Sequence, residues 1–494
     1  MKYLGISCGF HDAGITVIND SGDILFAGHS ERYSKIKHDA NLCVDLVHDA
    51  KKHVRDLYEV HYYEKPWVKA IRQLRAGQSV GPLNMKKLLG ENIIDKFNDR
   101  SGSIKTHSHH LTHAAAGFQT SPFDNATVVV IDAIGELDTI SIYNAYYDKN
   151  GMARYEKLWS KQYPNSIGLM YSAMTKRVGL KPLDEEYILM GMVAYGKALH
   201  SEEISREFLS DKDNLDFAQN LHTGVREKFL ENANDMDIAA STQLLTEELI
   251  EIIMRKARSL GTSSNLVYGG GVALNCLANR LLGNHFSKIW IMPNPGDAGN
   301  SLGAAALGYG KKLNWKNAFL GHEIPGRYPI LNLYKELKHS KIVGIASGRA
   351  EFGPRALGNR SLLADPRGDE IKDKVNEIKR RQKFRPFAPL ILEELVHDYF
   401  DMPVGWDNSR YMQVIATCRH PDLFPAIVHA DGTSRVQTVP KDGSGIRILL
   451  ELWYQATGCP ILLNTSLNIR GEPMVNDRSD ADRFEKLYGV KVYS

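Results

Sequence analysis

Four histidines fall within seven residues of this chain, at His107, His109, His110 and His113, and an alanine run follows at Ala114, Ala115 and Ala116. Alanine is the strongest helix former, so the segment reads as helix. Residues four apart share a helical face, so His109 and His113 can grip one metal ion, while His110 points about 100° away. Two carboxylates are placed to complete such a set. Asp132 ends an apolar strand directly before the turn Ile134-Gly135-Glu136, where a buried charge needs a partner or a metal. Asp297 lies in the loop Pro295-Gly296-Asp297-Ala298-Gly299-Asn300 ahead of a small-residue helix, where its other reading is helix capping. Two imidazoles and two carboxylates suit iron, manganese or zinc, and spacing does not choose among them.

A second constellation sits in the first glycine turn, Gly9 to Gly14. There His11, beside Asp12, can act as general base on a hydroxyl, or can simply bond to backbone. The run Tyr268-Gly269-Gly270-Gly271-Val272-Ala273-Leu274-Asn275 reads as a strand, a glycine turn and a helix start. Glycines let backbone approach a base or phosphate, and helix N–H groups favour anions. Gly135, Glu136, Gly269, Gly270, Gly271 and Asn275 are therefore the candidate nucleotide contacts of this half. No Walker motif occurs.

The C-terminal half carries a different chemistry. Gly348 to Ser361 (GRAEFGPRALGNRS) and Lys379 to Phe387 (KRRQKFRPF) are dense in glycine and arginine, and His429 to Gln437 and Asn464 to Glu472 add polar loops. Guanidinium forks hold phosphate oxygens two at a time. Arginine beside phenylalanine would also stack on nucleic-acid bases.

These residues need elements to position them. Strands Tyr3 to Ser7, Ile15 to Asn19 and Ile24 to Ala27 alternate with short turns, as a β-meander does. The same plan returns with Val128 to Asp132 and Thr139 to Tyr146, a weak internal repeat that suggests two halves facing a nucleotide. Between the copies, 42–89 reads as mainly helical, and Ser166 to Val178 and Ala240 to Leu260 carry helical periodicity. The stretch Glu323 to Pro329, with two prolines and a glycine, is the predicted linker.

Composition agrees with two globular domains in 494 residues: 43% hydrophobic, 24% charged. The net charge is only +3, which gives no whole-chain argument for nucleic acid or membrane. Between Lys341 and Leu390, however, 12 Lys and Arg face 6 Asp and Glu, and that surplus suits a phosphate-rich ligand. Five scattered cysteines without a CxxC pair read as reduced thiols, and neither a signal peptide nor an apolar run of spanning length is seen. The expected location is the cytoplasm.

Taken in order, HxxxH with Asp132, GGGVALN, EFGPRALGNRS, KFRPFAP, HADGTSRVQ and NTSLNIRGEP resemble the O-carbamoyltransferases of the nodulation-protein and antibiotic-tailoring type, from Gly5 to about Asp480. The resemblance implies an α/β protein. Residues 1–325 would form a duplicated, actin/Hsp70-like domain of the Kae1 type, and residues 326–494 a YrdC-like α/β domain. It implies that the second domain makes carbamoyl-adenylate from carbamoyl phosphate and ATP with Mg2+, and that the first passes the carbamoyl group to an acceptor hydroxyl. His109, His113, Asp132 and Asp297 match the family's metal ligands, with Fe2+ or another divalent transition metal as cofactor, and His11 its catalytic-turn histidine. Arg355, Arg360, Lys379, Arg381, Arg385 and Arg435 would neutralise phosphates, and Ser466 and Asn468 would orient the donors.

Three positions depart from the family pattern: Ile188 stands where relatives often have lysine, Gln382 for a usual Glu and Leu467 for a usual Phe. They put the acceptor pocket in question. The expected partner is a small hydroxyl-bearing molecule, with a sugar, an antibiotic and a hydroxymethylated nucleotide as candidates; the compact chain favours the last. A homodimer is an open expectation, and neither membrane nor nucleic acid is expected as partner. Two other readings stand beside this one: tRNA threonylcarbamoylation, and a nucleotide-binding protein without turnover.

Overall fold

The computed structural model describes residues 1–54, 57–89, 104–383, 385–442 and 445–494. Phe384 of the KFRPF run lies outside them. The chain forms two compact units, Met1–Ala27 with Ala40–Trp315, and Gly28–Asp39 with Lys316–Ser494.

The first unit contains one plan used twice. Strands β1 (Lys2–Ser7), β2 (Gly14–Asn19), β3 (Ile24–His29), β4 (Tyr58–Tyr62) and β5 (Lys105–Thr106) form a sheet in the order β3-β2-β1-β4-β5. After it comes helix α1 (His109–Thr120). Strands β6 (Asn125–Gly135), β7 (Asp138–Tyr147), β8 (Ala153–Gln162), β9 (Asn265–Gly269) and β10 (Lys288–Trp290) form the second sheet, in the order β8-β7-β6-β9-β10. In each sheet the first strand pairs antiparallel with the second and parallel with the fourth. The repeat expected from two meanders is thus a repeat of the whole five-stranded sheet, the strand order of the duplicated actin/Hsp70 fold. Strand β4 departs from the helical reading of 42–89. Its residues are buried on both faces, so it lacks the alternation that marks a half-exposed strand.

A 26-residue helix α2 (Asp235–Leu260), N-capped by Asn234, precedes β9. Helix α3 (Asn300–Tyr309) then follows a single 3-10 turn, Asp297–Gly299. It packs on β1, β2 and β4, while α1 packs on β6 and β9, and the two helices lie against each other. Their small residues permit this. A Cβ on Gly303 would sit 1.9 Å from the carbonyl oxygen of Thr112, and one on Gly5 of β1 would sit 1.9 Å from that of Ser301. Backbone on backbone at this distance leaves no room for a methyl group.

In the second unit, β11 (Ile342–Ala346), β12 (Arg360–Ala364), β13 (Ala388–Leu392), β14 (Gln437–Val439), β15 (Ile461–Ser466) and β16 (Val492–Tyr493) build a mixed sheet in the order β14-β13-β15-β12-β11-β16. Successive residues serve opposite faces. Leu363, Leu390 and Leu462 pack with Ile330–Ser340 and Gly445–Thr457, whereas Leu362, Ile391 and Leu463 pack with Glu370–Ile378 and Arg478–Tyr488. Both faces are covered, which is an α/β domain with a three-layer core.

The division at Trp315 and Lys316 corrects the expected boundary at 325/326. Phe319–Ile324 is a strand paired antiparallel with Gly348–Glu351, so the Pro-Gly-Pro stretch after it lies within the second unit. Residues 28–39 also belong there. Buried Arg32 donates to the Gly353 carbonyl at 2.9 Å, and Lys35 pairs with Asp480.

The helix crossing gives a test with a built-in control. Gly303→Ala should destabilise the protein by about 3 kcal/mol or more through overpacking against Thr112. Gly191→Ala, in a helix with nothing within 4 Å of the new methyl, should be neutral or stabilising by up to about 1 kcal/mol. Denaturant midpoints measure both.

Candidate active site

The crossing of α1 and α3 brings four ionisable side chains to one point. His109 Nε2 and His113 Nε2 lie 3.1 Å apart, and each is 3.1 Å from Asp297 Oδ1. Asp132 Oδ2 is 3.2 Å from the first ring and 3.3 Å from the second. One donor atom from each of the four lies within 4.8 Å of the others. Pairing between β6 and β7 skips from Ile131 to Gly135, so Asp132 falls in a bulge that turns its side chain toward α1. Its other oxygen, Oδ1, is held by the backbone N–H groups of Ala133 (2.8 Å) and Gly271 (3.3 Å). His109 and His113 are almost fully buried.

Burial opposes the charged form of His109, but Asp297 and Asp132 outweigh it and hold the ring well above the usual histidine range; His113 is raised in the same way. Burial likewise pushes both carboxyls up, and the two imidazoles overcome it and leave them low. The donor set fits a metal. Two protonated rings would oppose N–H to N–H across 3.1 Å, whereas one divalent cation would satisfy both nitrogens and balance two carboxylate charges. Donor atoms bound about 2.0 to 2.2 Å from a common ion stand roughly 3 Å apart, which is the separation found here.

His110 behaves as its direction predicts. Its Nδ1 bonds Ser141 Oγ at 2.8 Å, so the ring packs beside His109 without joining the shared point. His11 joins the cluster: Nε2 is 3.4 Å from Asp297 Oδ2, and Nδ1 bonds Asp12 Oδ2 at 2.8 Å. Asp12 thereby fixes the ring so that Nε2 faces inward.

The candidate nucleotide residues separate into several roles. Gly135 packs against the rings of His109 and His110, 2.3 Å from the nearest ring atom for a hypothetical Cβ. Glu136, in a left-handed conformation, accepts the Lys65 N–H. Gly270, at φ +89°, passes over the Ile131 carbonyl, and Gly271 donates to Asp132. Asn275 is tied by both ends of its amide to Gln243, at 2.9 and 3.1 Å. The segment after the glycines is a 3-10 turn, Gly271–Leu274, in place of the expected helix start. A residue missed in sequence is Asn300, fully buried, with its amide 3.0 Å from His113 Nε2. It stands one helical turn after Asp297, the i, i+3 spacing that could have flagged it.

In the second unit, Lys379, Ser466 and Asn468 meet. Lys379 Nζ donates to the Ser466 hydroxyl (3.1 Å), the Ser466 carbonyl and Asn468 Oδ1 (2.7 Å). Burial, then Arg381 and Arg385, push the ammonium well below the usual lysine range. Arg381 stacks 4.2 Å over Phe387 and donates to Asn376. His429, from the HADGTSR loop, is pushed down to about 4 by burial, with Asp431 opposing and Arg435, Lys372 and Arg385 adding to the fall. Arg355 is half-buried in the loop before β12.

Arg360 contradicts its expected role. It is fully buried, and its guanidinium donates to the carbonyls of Asn476, Ser347, Asn359, His322 and Gly348 at 2.9 to 3.2 Å. All five donors are used by the main chain, so no fork remains for phosphate. Leu467 is a core residue and Ile188 is buried in the helix Glu186–Met192, so both departures are packing positions. Gln382 has a buried, unpartnered Oε1.

Known proteins decide the family. Models of the carbamoyltransferase N-terminus and C-terminus match residues 63–306 and 334–492. The chain belongs to the carbamoyltransferase family. The N-terminal match spans all four clustered residues. This carbamoyltransferase is 31% identical to an uncharacterized protein of Synechocystis, over 97% of this chain and 93% of that one. It is 30% identical to the nodulation protein NolNO of Sinorhizobium fredii, over 95% and 76%. It is 34% identical to the 3'-hydroxymethylcephem-O-carbamoyltransferase of Amycolatopsis lactamdurans, over 54% and 55%. No helix among the described residues is long and apolar enough to cross a membrane.

The correction at Arg360 is testable. Arg360→Lys keeps the charge but loses the planar fork, and orphaned carbonyls should cost about 3 kcal/mol or more. A clear fall in melting temperature is expected; an unchanged one, with weakened ATP binding, would restore Arg360 as a ligand.

Proposed function

We propose that this carbamoyltransferase is an ATP-dependent O-carbamoyltransferase whose two units divide the reaction. The observation that carries the reading is the contrast of their sites. Two histidines and two aspartates with the donor set for a metal ion cluster in the first unit, and a cationic cluster around Lys379 lies in the second.

In the second unit, carbamoyl phosphate and ATP are joined into carbamoyl-adenylate. With one water consumed, the atoms balance only if inorganic phosphate and pyrophosphate both leave. Lys379, Arg381, Arg385, Arg435 and Arg355 neutralise the phosphates, and Ser466 and Asn468 orient the carbamoyl donor.

In the first unit, His11 Nε2 takes the proton of the acceptor hydroxyl, whose oxygen attacks the carbamoyl carbon as AMP leaves. Asp12 at Nδ1 holds the ring for that task and stabilises the imidazolium formed. His109, His113, Asp132 and Asp297 would hold Fe2+ or another divalent metal, which supplies Lewis-acid stabilisation of developing negative charge when bound. The acceptor is a small molecule with a hydroxymethyl group. Support comes from the hydroxymethyl named for the Amycolatopsis relative's substrate. A hydroxymethylated nucleotide, a sugar and an antibiotic are the candidates.

Incubation with ATP, carbamoyl phosphate and these acceptors should yield pyrophosphate and one product in which CONH2 has replaced the hydroxyl hydrogen, seen by mass spectrometry as the corresponding gain in mass. His113→Ala should keep pyrophosphate release and lose transfer. Lys379→Met should lose pyrophosphate release and still transfer from preformed carbamoyl-adenylate. Absence of pyrophosphate from the wild-type protein in every mixture would sink the proposal.

A further inference from the structure

Among the described residues Asn300 brings an amide to the His109, His113 and Asp297 side chains, and which of its ends faces inward follows from its neighbours. As placed, Oδ1 lies 3.0 Å from Thr112 Oγ1, and Nδ2 lies 3.0 Å from His113 Nε2, 3.5 Å from His109 Nε2 and 3.4 Å from Asp297 Oδ1. The two ends of a carboxamide are alike in shape, and only the hydrogen bonds tell them apart.

The Thr112 hydroxyl has a single hydrogen. The His109 carbonyl, 2.6 Å away, is its nearest acceptor, a helical bond to the preceding turn; the Tyr63 carbonyl is farther, at 3.3 Å. With that hydrogen committed, Thr112 Oγ1 offers only lone pairs, so the amide end beside it must be the N–H donor. The inward end is then the carbonyl oxygen. The opposite orientation fails at the inner end as well. Once Nε2 of each histidine gives its lone pair to a metal, an inward NH2 has no ring acceptor and keeps only Asp297, beyond good hydrogen-bond distance. A fully buried amide would then be poorly satisfied at both ends.

We propose that Asn300 is a fifth protein ligand of the metal, through its side-chain carbonyl oxygen, with Thr112 holding the amide in place. The inference rests on the metal reading of the His109, His113, Asp132 and Asp297 cluster and extends it. Its chemical content is a site with three oxygens and two nitrogens. That set carries the same charge as the four-ligand site but is harder, and it favours iron or manganese over a metal that prefers four ligands. Asn300 is the first residue of α3, directly after the 3-10 turn that carries Asp297, so the crossing with α1 fixes the fifth position too.

The test uses the whole chain, stripped of metal and titrated with Co2+, read by competition with a chelator and by the visible spectrum of the bound ion. Asn300→Ala should weaken Co2+ binding by at least the roughly 10-fold that even an outer partner of a ligand contributes, and should change the spectrum. Asn300→Asp keeps an oxygen in the same place and should retain affinity and spectrum, whereas a lost N–H donor would not be replaced by a carboxylate. Far-UV circular dichroism and the melting temperature of the whole chain show that each variant is folded. Wild-type affinity and spectrum in Asn300→Ala, or equal losses in the Asp and Ala variants, overturn the proposal. A Co2+-loaded crystal structure gives a second reading: Oδ1 within roughly 2.3 Å of the ion supports it, and an amide outside bonding distance overturns it. If His113→Ala loses Co2+ while Asn300→Ala does not, only this inference falls. If His113→Ala also binds like the wild type, the metal site itself falls with it.

Discussion

The contact of Gly303 with the Thr112 carbonyl is the constraint on which the first unit depends. It lets α1 and α3 cross backbone to backbone, at a distance that no larger residue permits. Histidine reaches several ångströms from its helix, but aspartate and asparagine are short. Only a close crossing brings Asp297 and Asn300 within 3.5 Å of the two imidazoles. The alanines and glycines of both helices therefore shape the cluster indirectly, by setting the separation at which side chains of unequal length converge.

Concentrating two carboxylates in a buried place is unfavourable by itself. The surroundings offset it with fixed partners: two backbone N–H groups on Asp132 Oδ1, and two imidazoles on the inward oxygens. The glycine turn after β9 contributes one of those N–H groups, which gives Gly271 a place in the cluster. His11 and Asp12 complete the edge of the cluster from the other sheet. Each repeat of the duplicated fold thus supplies one glycine turn to a single centre.

The second unit shows how two buried cations can differ in role. Arg360 and Lys379 are equally hidden, yet Arg360 spends every donor on main-chain carbonyls around the FGPRALGNR loop and so braces it. Lys379 meets only neutral oxygens and faces two further arginines. From the sequence both positions are basic residues in a glycine-rich setting, and nothing in the pattern separates brace from ligand.

Much of the architecture was legible in residue order. The two meanders, the helix from His109, the strand at Asn265 and the small-residue helix after Asp297 are local patterns of period and turn, and they stand in the structure. So is the choice between His109 with His113 and His110, because helical periodicity alone turns His110 toward Ser141. Strand β4 was hidden because burial on both faces erases alternation, and the boundary was misplaced because a Pro-Gly-Pro stretch marks a turn without saying which unit owns it. What only the tertiary structure decided was partnership: Asn275 taken up by Gln243, Arg360 by five carbonyls, Asn300 brought to the histidines. Spacing along a chain fixes which side chains share a face. Which groups satisfy one another across elements depends on how closely the backbones pack, and that is set in three dimensions.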